Sequence, residues 1–315
     1  MIFDPWHLST LLGMVLVAVG SYFIPRRDWV KIPYFWILIF SMFVAFFQGA
    51  GQMTVQSYGS QAQAAKFALA WVLVPAFFMS ISEKWALYLK RAFLLILALD
   101  CLWVCTSQPG EVFGLFIGVT QTALVGAIFL PLFIRDRYLV WASLPVFLAI
   151  QHTWSESAIV VLAIHAVVFY FKTVRNWKWD FVIAFGFIWM CAQIIMTGGF
   201  HSRLALINPT MSWWLSKNHV IHLAGTGPWS WEFLNLLFLP VQRMWLHSDW
   251  VQLLFEFGIL GFTSFVLLAS YALWKKRKDL TAVSILLSLY FGMLVYSPMQ
   301  FFIVWGLLCL TLRGK

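Results

Sequence analysis

The chain has 315 residues, of which 62% are hydrophobic and only 10% are charged, and its mean hydropathy is +0.84. Soluble domains keep roughly a quarter of their residues charged, so this composition excludes an ordinary soluble protein and indicates an integral membrane protein. The formal net charge of +9 arises from basic residues in short clusters between apolar runs, a pattern typical of cytoplasmic membrane loops. The charge therefore indicates topology, and no nucleic-acid partner is expected.

Eleven apolar runs are candidate membrane spans, since a helix needs about 20 apolar residues to cross a roughly 30 Å hydrocarbon core. The predicted fold class is all-α: a polytopic membrane helix bundle of about 11 transmembrane helices, forming a single integral membrane domain over residues 1–315. The sixth and seventh runs are short, and a re-entrant hairpin is an alternative there. The runs lie near residues 8–24, 32–50, 64–81, 92–108, 112–134, 138–151, 157–171, 179–197, 250–274, 280–296 and 299–312. No basic residue precedes the first run, so it does not resemble a cleavable signal peptide and is expected to remain as a span.

Lysine and arginine in short loops mark the cytoplasmic side of a membrane protein. In this division of the chain, 17 of the 21 basic residues fall in alternate loops and at the C-terminus, and the run Lys275 to Lys278 is one such cluster. The alternation predicts a multi-pass protein with its N-terminus outside and its C-terminus in the cytoplasm. The four remaining basic residues are Lys66, Arg203, Lys217 and Arg243.

One connection, residues 198–249, is far longer than the others and lies between the eighth and ninth predicted spans. It holds four of the seven histidines and five of the 19 tryptophans. Loops of this length are functional or disordered, and the tryptophan content argues against disorder. We therefore predict a large periplasmic loop that carries short amphipathic helices along the membrane surface.

A polar cluster opens the ninth predicted span, in "LHSDWVQLLFEFGILGF" (Leu246–Phe262). On a regular helix at 100° per residue, Gly258 and Gly261 lie on the same side as His247, and small residues let a neighbouring helix approach closely. Asp249, Gln252 and Glu256 form a second, polar stripe. The simplest interpretation is that His247, Ser248 and Asp249 cap the helix at the membrane interface.

Two further features on the same predicted face indicate anion binding. Arg203, in "FHSRL", carries a planar guanidinium suited to phosphate or diphosphate oxygens, although it could equally hold a lipid phosphate at the interface. Downstream, "AGTGPWSW" contains Gly225, Gly227 and Pro228. Such a tight turn can present backbone N–H groups to an anion.

The order "HSR", "GTGPWSW", "HSDWVQLLFEFGILG" resembles the O-antigen ligase and O-antigen polymerase superfamily of bacterial lipid-linked glycan transferases. Ligases of that family carry a histidine followed by Asn, Ser or Gln, then nine residues, Gly, two residues and Gly. Here His247 and Ser248 are followed by Asp249 to Phe257, then by Gly258 and Gly261. The motifs cover residues 198–262, and the remainder agrees in having many spans and one large external loop.

This resemblance implies a metal-independent glycosyltransferase of lipopolysaccharide biosynthesis, without a cofactor, in the bacterial inner membrane. It would transfer a glycan from undecaprenyl diphosphate to a hydroxyl of lipid A core, of a glycan or of a protein on the periplasmic face. His247 would be the general base, because a neutral imidazole can accept the hydroxyl proton, and Arg203 would bind the diphosphate. The other predicted substrate-binding residues are Arg243, Lys217, Ser248, Gly225 and Gly227. A repeat-unit polymerase and a protein O-oligosaccharyltransferase are alternatives within the same chemistry.

The sequence departs from the ligase pattern at one point. Ligases of the family carry an arginine in a serine-arginine-glycine turn between two earlier spans, and the corresponding turn here contains Ser155, Glu156 and Ser157. Glutamate reverses the local charge. Either Arg243 or Lys217 replaces the missing cation, or the donor binds differently, or the protein is not a ligase in the strict sense.

Other candidates have fewer supporting residues. His219 and His222, with His201 and His247 in the same loop, could bind zinc, but no cysteine or acid completes a tetrahedral set at typical spacing. Asp100 lies within an apolar run, where a charge is costly; we expect it to be hydrogen-bonded inside the bundle, near Gln121, and the alternative is a proton relay. That alternative belongs to a transporter or flippase, and a non-catalytic membrane scaffold is the third class.

Overall fold

The computed structural model of the chain describes residues 81–106, 119–173, 177–196, 207–208, 211–225, 248–295 and 302–313. Regular structure in these ranges is entirely helical, with no strand among them, which confirms the all-α class for this part of the chain. The described residues form two compact units. The first unit contains residues 81–106, 119–173, 177–196, 273–295 and 302–313, and the second contains residues 207–208, 211–225 and 248–272.

The helices are numbered here in chain order. They are α1 (Glu83–Thr106), α2 (Val119–Arg135), α3 (Ser143–Thr153), α4 (Glu156–Thr173), α5 (Trp177–Met196), α6 (His219–Ala224), α7 (Asp249–Lys276), α8 (Leu280–Val295) and α9 (Phe302–Leu312). A 3₁₀ turn at Val140–Ala142 precedes α3, and residues 211–215 form a short helical segment before α6.

The fourth to eleventh predicted spans each coincide with one of these helices, whereas the first three lie outside the described residues. By length and apolar composition, α4 and α7 are each able to cross a membrane, in agreement with the membrane class that the composition indicates. Helix α3 has 11 residues, about 16 Å at 1.5 Å per residue. It is therefore too short to cross a hydrocarbon core of about 30 Å by itself.

Helix α2 is the centre of the first unit. Every residue from Thr122 to Phe133 is buried, because α1, α3, α4 and α8 all pack against this helix. A Cβ at Gly126 would lie 3.0 Å from Cys101 Sγ and 3.1 Å from Val146 Cγ1. The absence of a side chain at Gly126 thus lets α1 and α3 approach α2 closely, as small residues do in membrane bundles.

Large apolar side chains remain exposed on the outer faces of this unit. On α5, Phe181, Phe185 and Trp189 are 77%, 57% and 59% exposed and stack along one side of the helix at centroid spacings of 6.3 Å. On α1, Leu99 and Trp103 are 65% and 55% exposed. Soluble monomers rarely expose extended apolar patches, so these surfaces support contact with lipid.

Two buried polar side chains of the first unit, Asp100 and His165, are hydrogen-bonded between helices. Asp100 accepts a hydrogen bond from Thr122 Oγ1 at 3.1 Å, which confirms that Asp100 is bonded inside the bundle; the bonded side chain is Thr122, the neighbour of Gln121. His165 Nε2 donates to the carbonyl of Ala127 at 2.8 Å, and its Nδ1 is bonded to the hydroxyl of Ser284. These contacts join α1 to α2 and α4 to both α2 and α8.

The second unit is built around the first half of α7. Trp214, Ile221 and Phe255 form its buried apolar cluster, with Met211 and Val251 packed at the edge. This cluster attaches residues 211–225, which belong to the predicted periplasmic loop, to the helix that begins with the predicted catalytic motif.

Candidate functional site

Three of the seven predicted site residues lie in the described part of the second unit, and these are Lys217, Gly225 and Ser248. The other four lie outside the described residues, and these are His247, Arg203, Arg243 and Gly227. The structure therefore describes the surroundings of these three residues, and the positions of the other four stay predictions.

Gly225 ends helix α6. The Asn218 side chain caps the start of α6 by accepting a hydrogen bond from the Ile221 N–H at 3.0 Å, as is usual for asparagine at an N-cap. At the other end, Gly225 has φ +84°, a conformation that favours glycine. Its N–H donates to the Ile221 carbonyl at 2.8 Å. This amide is used at the helix end, so the described contacts give Gly225 a packing role. Its contact with an anion stays a prediction.

Gly258 interrupts helix α7. Its backbone angles are φ +63° and ψ −170°, far from helical values, so the prediction of a regular helix across residues 250–274 is wrong at this residue. The interruption also removes the basis for placing Gly258 and Gly261 on one face with His247 by a constant 100° per residue. Trp250 packs across the break, with its ring centroid 5.8 Å from Phe262 and 5.6 Å from Phe265.

Gly225 and Gly258 contact each other through their backbones. A Cβ at Gly225 would lie 2.2 Å from the Glu256 carbonyl oxygen and 2.6 Å from the Gly258 nitrogen. Conversely, a Cβ at Gly258 would lie 2.5 Å from both the Gly225 nitrogen and the Leu223 carbonyl oxygen. The first glycine of "GTG" and the first glycine of the ninth-span motif therefore form one joint between α6 and α7.

Ser248 caps the N-terminus of α7. Its Oγ accepts a hydrogen bond from the Val251 N–H at 3.4 Å, and its carbonyl accepts one from the Gln252 N–H at 3.0 Å. The residue is 0% exposed. The prediction that Ser248 caps the helix is confirmed. Its hydrogen bonds and its burial fix the position of Ser248, which directly follows His247 in the sequence.

The polar stripe Asp249, Gln252 and Glu256 is buried, with exposures of 3%, 8% and 1%. Gln252 Nε2 donates to Glu256 Oε1 at 3.0 Å, so two members of the stripe share a face as the spacing predicts. Buried carboxylates are stabilised by hydrogen bonds and opposite charge. The start of α7 thus places two carboxyl groups and one amide side chain in the protein interior.

The remaining predicted residue, Lys217, contacts an aromatic ring. Its Nζ lies 4.2 Å from the centroid of the Trp213 ring, a cation–π arrangement, and the Trp213 ring in turn lies 5.3 Å from that of Phe255. The His222 ring packs at a tilt against that of Trp214, with centroids 4.5 Å apart, and its Nε2 donates to the Trp214 carbonyl at 2.8 Å. Lys217 is therefore held on the same cluster as α6 and α7.

His219 and His222, the pair considered as zinc ligands, are only partly suited to binding a metal ion. The rings of His219 and His222 have centroids 6.1 Å apart, and the Nε2 of His222 is used by the Trp214 carbonyl. Among the described residues, no group of three or more His, Cys, Asp or Glu side chains is positioned to hold a metal ion.

The turn that departs from the ligase pattern lies in the first unit, between α3 and α4. Trp154 has φ +45°, and Ser155 caps α4 by accepting a hydrogen bond from the Ala158 N–H at 3.3 Å. Glu156 is exposed in the first turn of α4, where a carboxylate is favoured by the helix dipole. This local structure accounts for a glutamate at the position.

Comparisons of the chain with protein-family models, with curated proteins and with solved structures each find no match. The function is therefore inferred from the motifs and from the geometry of the second unit. The sequence indicated a close approach at Gly258 but did not identify Gly225 as the residue that makes this contact.

Proposed function

We propose that this protein is an inner-membrane glycosyltransferase of about 11 spans that resembles the O-antigen ligases. It transfers a glycan from undecaprenyl diphosphate to an acceptor hydroxyl on the periplasmic face. In this proposal His247 accepts the proton of the attacking hydroxyl, a role worth about 10² to 10⁴ in rate. Arg203 stabilises the negative charge that develops on the departing lipid diphosphate.

The backbone contact of Gly225 with Gly258 is the observation that most supports this proposal. The three motifs are separate in the sequence, and a shared active site needs the segments that carry them to be held together. The contact links the "GTG" turn to the "HSDWVQLLFEFGILG" helix, and the cap by Ser248 orders the backbone beside His247. A general base is effective only when it is held rigidly within reach of its proton.

Fixed cations are the second requirement, because the donor carries a diphosphate and the start of α7 is acidic. Lys217, anchored on Trp213, is one candidate for this role, and Arg203 and Arg243 are the others. In the proposal these residues supply the positive charge that Glu156 does not. We assign Gly225, Gly258 and Ser248 to positioning the site.

The test is to replace the protein in its host by His247→Ala and, separately, by Arg203→Ala, and to examine the surface polysaccharide on gels. Loss of attached chains with accumulation of lipid-linked polymer supports a ligase. Loss of long chains with single repeat units retained supports a polymerase. The matched control is His219→Ala, since His219 is an exposed histidine of the same predicted loop, and it should leave the polysaccharide unchanged.

Unchanged polysaccharide in both variants, at normal protein levels, would contradict the proposal. Incorporation of the protein into membranes should be checked by immunoblot in each strain. Protein levels distinguish a chemical defect from a failure to fold.

A transporter is the second candidate, and the buried polar contacts of Asp100 and His165 in the first unit favour it. Both side chains are hydrogen-bonded between helices, an arrangement that also serves packing. Asp100→Asn separates the two functions, because a transporter that uses this carboxylate as a proton relay should lose activity. We expect the glycan profile of Asp100→Asn to match that of the unmodified protein.

A further inference from the structure

A cleft of about 320 Å³ in the first unit is lined mainly by charged side chains. Its lining residues are Lys90, Arg91, Leu132, Arg135, Asp136, Arg137 and Tyr138. Four of these are cationic and one is anionic. Ligand cavities in proteins span about 300 to 1,000 Å³ and are mostly apolar. This cleft is therefore suited to a small anionic group and not to an extended apolar ligand.

Asp136 is the acidic residue of the cleft, and its hydrogen bonds are to Arg91 and to the backbone of Tyr138. Its carboxylate accepts hydrogen bonds from Arg91 Nε at 2.7 Å and Nη2 at 3.3 Å, and from the Tyr138 N–H at 3.0 Å. The Arg91 guanidinium holds the pKa of the Asp136 carboxyl below its usual value. The pair thus joins α1 to the turn after α2 and leaves the positive charge of Lys90, Arg135 and Arg137 less compensated.

Lys90 is a partly buried cation of the cleft. Within the described part of the chain, its ammonium group has no hydrogen bond and no ion pair. Burial lowers the pKa of Lys90. The charges of Arg135 and Arg91 add to this effect, and those of Asp136 and Asp279 oppose it. An anion in the cleft would relieve this repulsion.

The arginines at the rim are held in place by other side chains. Arg137 Cζ lies 4.6 Å from the centroid of the Tyr138 ring and Arg91 Cζ lies 4.7 Å from it, so one ring orients two guanidiniums. Arg135 Nη1 contacts Asp279 at 3.2 Å in an exposed pair, which water screens. Guanidinium groups present paired donors that match the oxygens of phosphate.

We propose that this cleft binds a phosphate group through Lys90, Arg135 and Arg137. The phosphate could belong to the headgroup of an anionic phospholipid or be a free phosphate ion. The residues come from two loops predicted to be cytoplasmic, where basic pockets beside membrane helices meet anionic lipids. The cluster at Lys275 to Lys278 lies on the same predicted side, but none of its residues lines the cleft.

The experiment uses the purified full-length protein and the variants Lys90→Gln and Arg137→Gln. Lys278→Gln is the matched control, because Lys278 is exposed and its replacement changes the net charge equally. In the lipid arm, phosphatidylglycerol retained from mixed phosphatidylglycerol and phosphatidylcholine nanodiscs is measured by native mass spectrometry. In the soluble arm, inorganic phosphate is titrated in neutral detergent at constant ionic strength, and protection against thermal unfolding is measured.

Each cleft variant should weaken phosphate binding about fivefold relative to Lys278→Gln, as expected for one basic residue near an anionic headgroup. An effect confined to the lipid arm identifies a headgroup site, and protection by inorganic phosphate identifies a free-phosphate site. Equal behaviour of the cleft variants and Lys278→Gln in both arms overturns the proposal. Lys90→Gln removes no hydrogen bond between described residues, so the variant is expected to fold, and its melting curve in the absence of phosphate checks this.

Discussion

The two units of the protein bring helices together at glycines in different ways. In the first unit, a Cβ at Gly126 would meet side chains, at 3.0 Å for Cys101 Sγ and 3.1 Å for Val146 Cγ1. In the second unit, a Cβ at Gly225 or Gly258 would meet backbone atoms at 2.2 to 2.6 Å. Side chains can rotate away from a new methyl group, whereas backbone atoms in two helices cannot.

This difference indicates which of the two glycine contacts is less tolerant of substitution. Gly225 and Gly258 also have positive φ, so any other residue is strained there even before the clash is considered. Gly126 lies within a regular helix and carries no such constraint. We infer that the joint of α6 with α7 specifies a unique backbone arrangement, whereas the contact of α2 with α1 and α3 is ordinary side-chain packing.

The largest effect is expected from Gly258→Ala or Gly225→Ala. Positive-φ strain and overlap with backbone atoms together should destabilise the second unit by about 3 kcal/mol or more. Thermal unfolding of the detergent-purified protein, followed by tryptophan fluorescence, measures this change. Gly186→Ala is the control, since a Cβ there meets nothing within 4 Å, and a loss in Gly186→Ala comparable to that in Gly258→Ala would remove the proposed distinction.

Gly126→Ala tests the first unit in the same way and should have a smaller effect. The Cys101 and Val146 side chains must shift by a few tenths of an ångström, and overpacking of this kind costs about 1 to 3 kcal/mol. The double variant Gly126→Ala with Cys101→Ala should recover part of the loss, because the nearest contacting atom is removed. No recovery would show that α1 does not determine the packing at Gly126.

Lys217→Ala tests a surface contact of the second unit. A partly exposed cation–π contact such as that with Trp213 contributes about 0.5 to 1 kcal/mol, so the melting temperature should fall only slightly. Lys217→Arg should keep both the stability and, in the proposed function, the charge that the donor needs. A large loss of stability in Lys217→Arg would show that the lysine does more than place a charge on Trp213.

Asp136→Asn tests a polar contact of the first unit and should have the smallest effect at neutral pH. Because the pKa of Asp136 is lowered in the folded protein, its stabilising contribution is present above the pKa of an unfolded aspartate. It is lost as the pH falls through the lower pKa of the folded state. The unmodified protein should therefore lose thermal stability below about pH 4 more steeply than Asp136→Asn. Glu83→Gln, at an exposed site on α1, should retain the steep profile.

Apolar run length predicted where α1 to α5 and α7 to α9 lie, whereas α6 lies in the predicted periplasmic loop. Helix formation depends on neighbouring residues, so the runs at 112–134 and 280–296 are sufficient to locate α2 and α8. The cap at Ser248 and the shared face of Gln252 with Glu256 were also predictable, because both are contacts within one or two helical turns. The roles of His247 and Arg203 remain predictions from motif order.

Only the tertiary structure shows which glycines and which charged residues, distant in the sequence, contact each other. Gly225 and Gly258 are 33 residues apart in the sequence. A helical wheel treats Gly258 as an ordinary helical position. The break in α7 at Gly258 depends on the backbone of residues 223–225, which packs against it. Arg91 and Asp136 are 45 residues apart, and sequence reasoning assigned the basic residues around them to topology alone. A sequence shows which residues can form a helix or carry a charge, but only packing determines which backbones touch and which charges share one cleft.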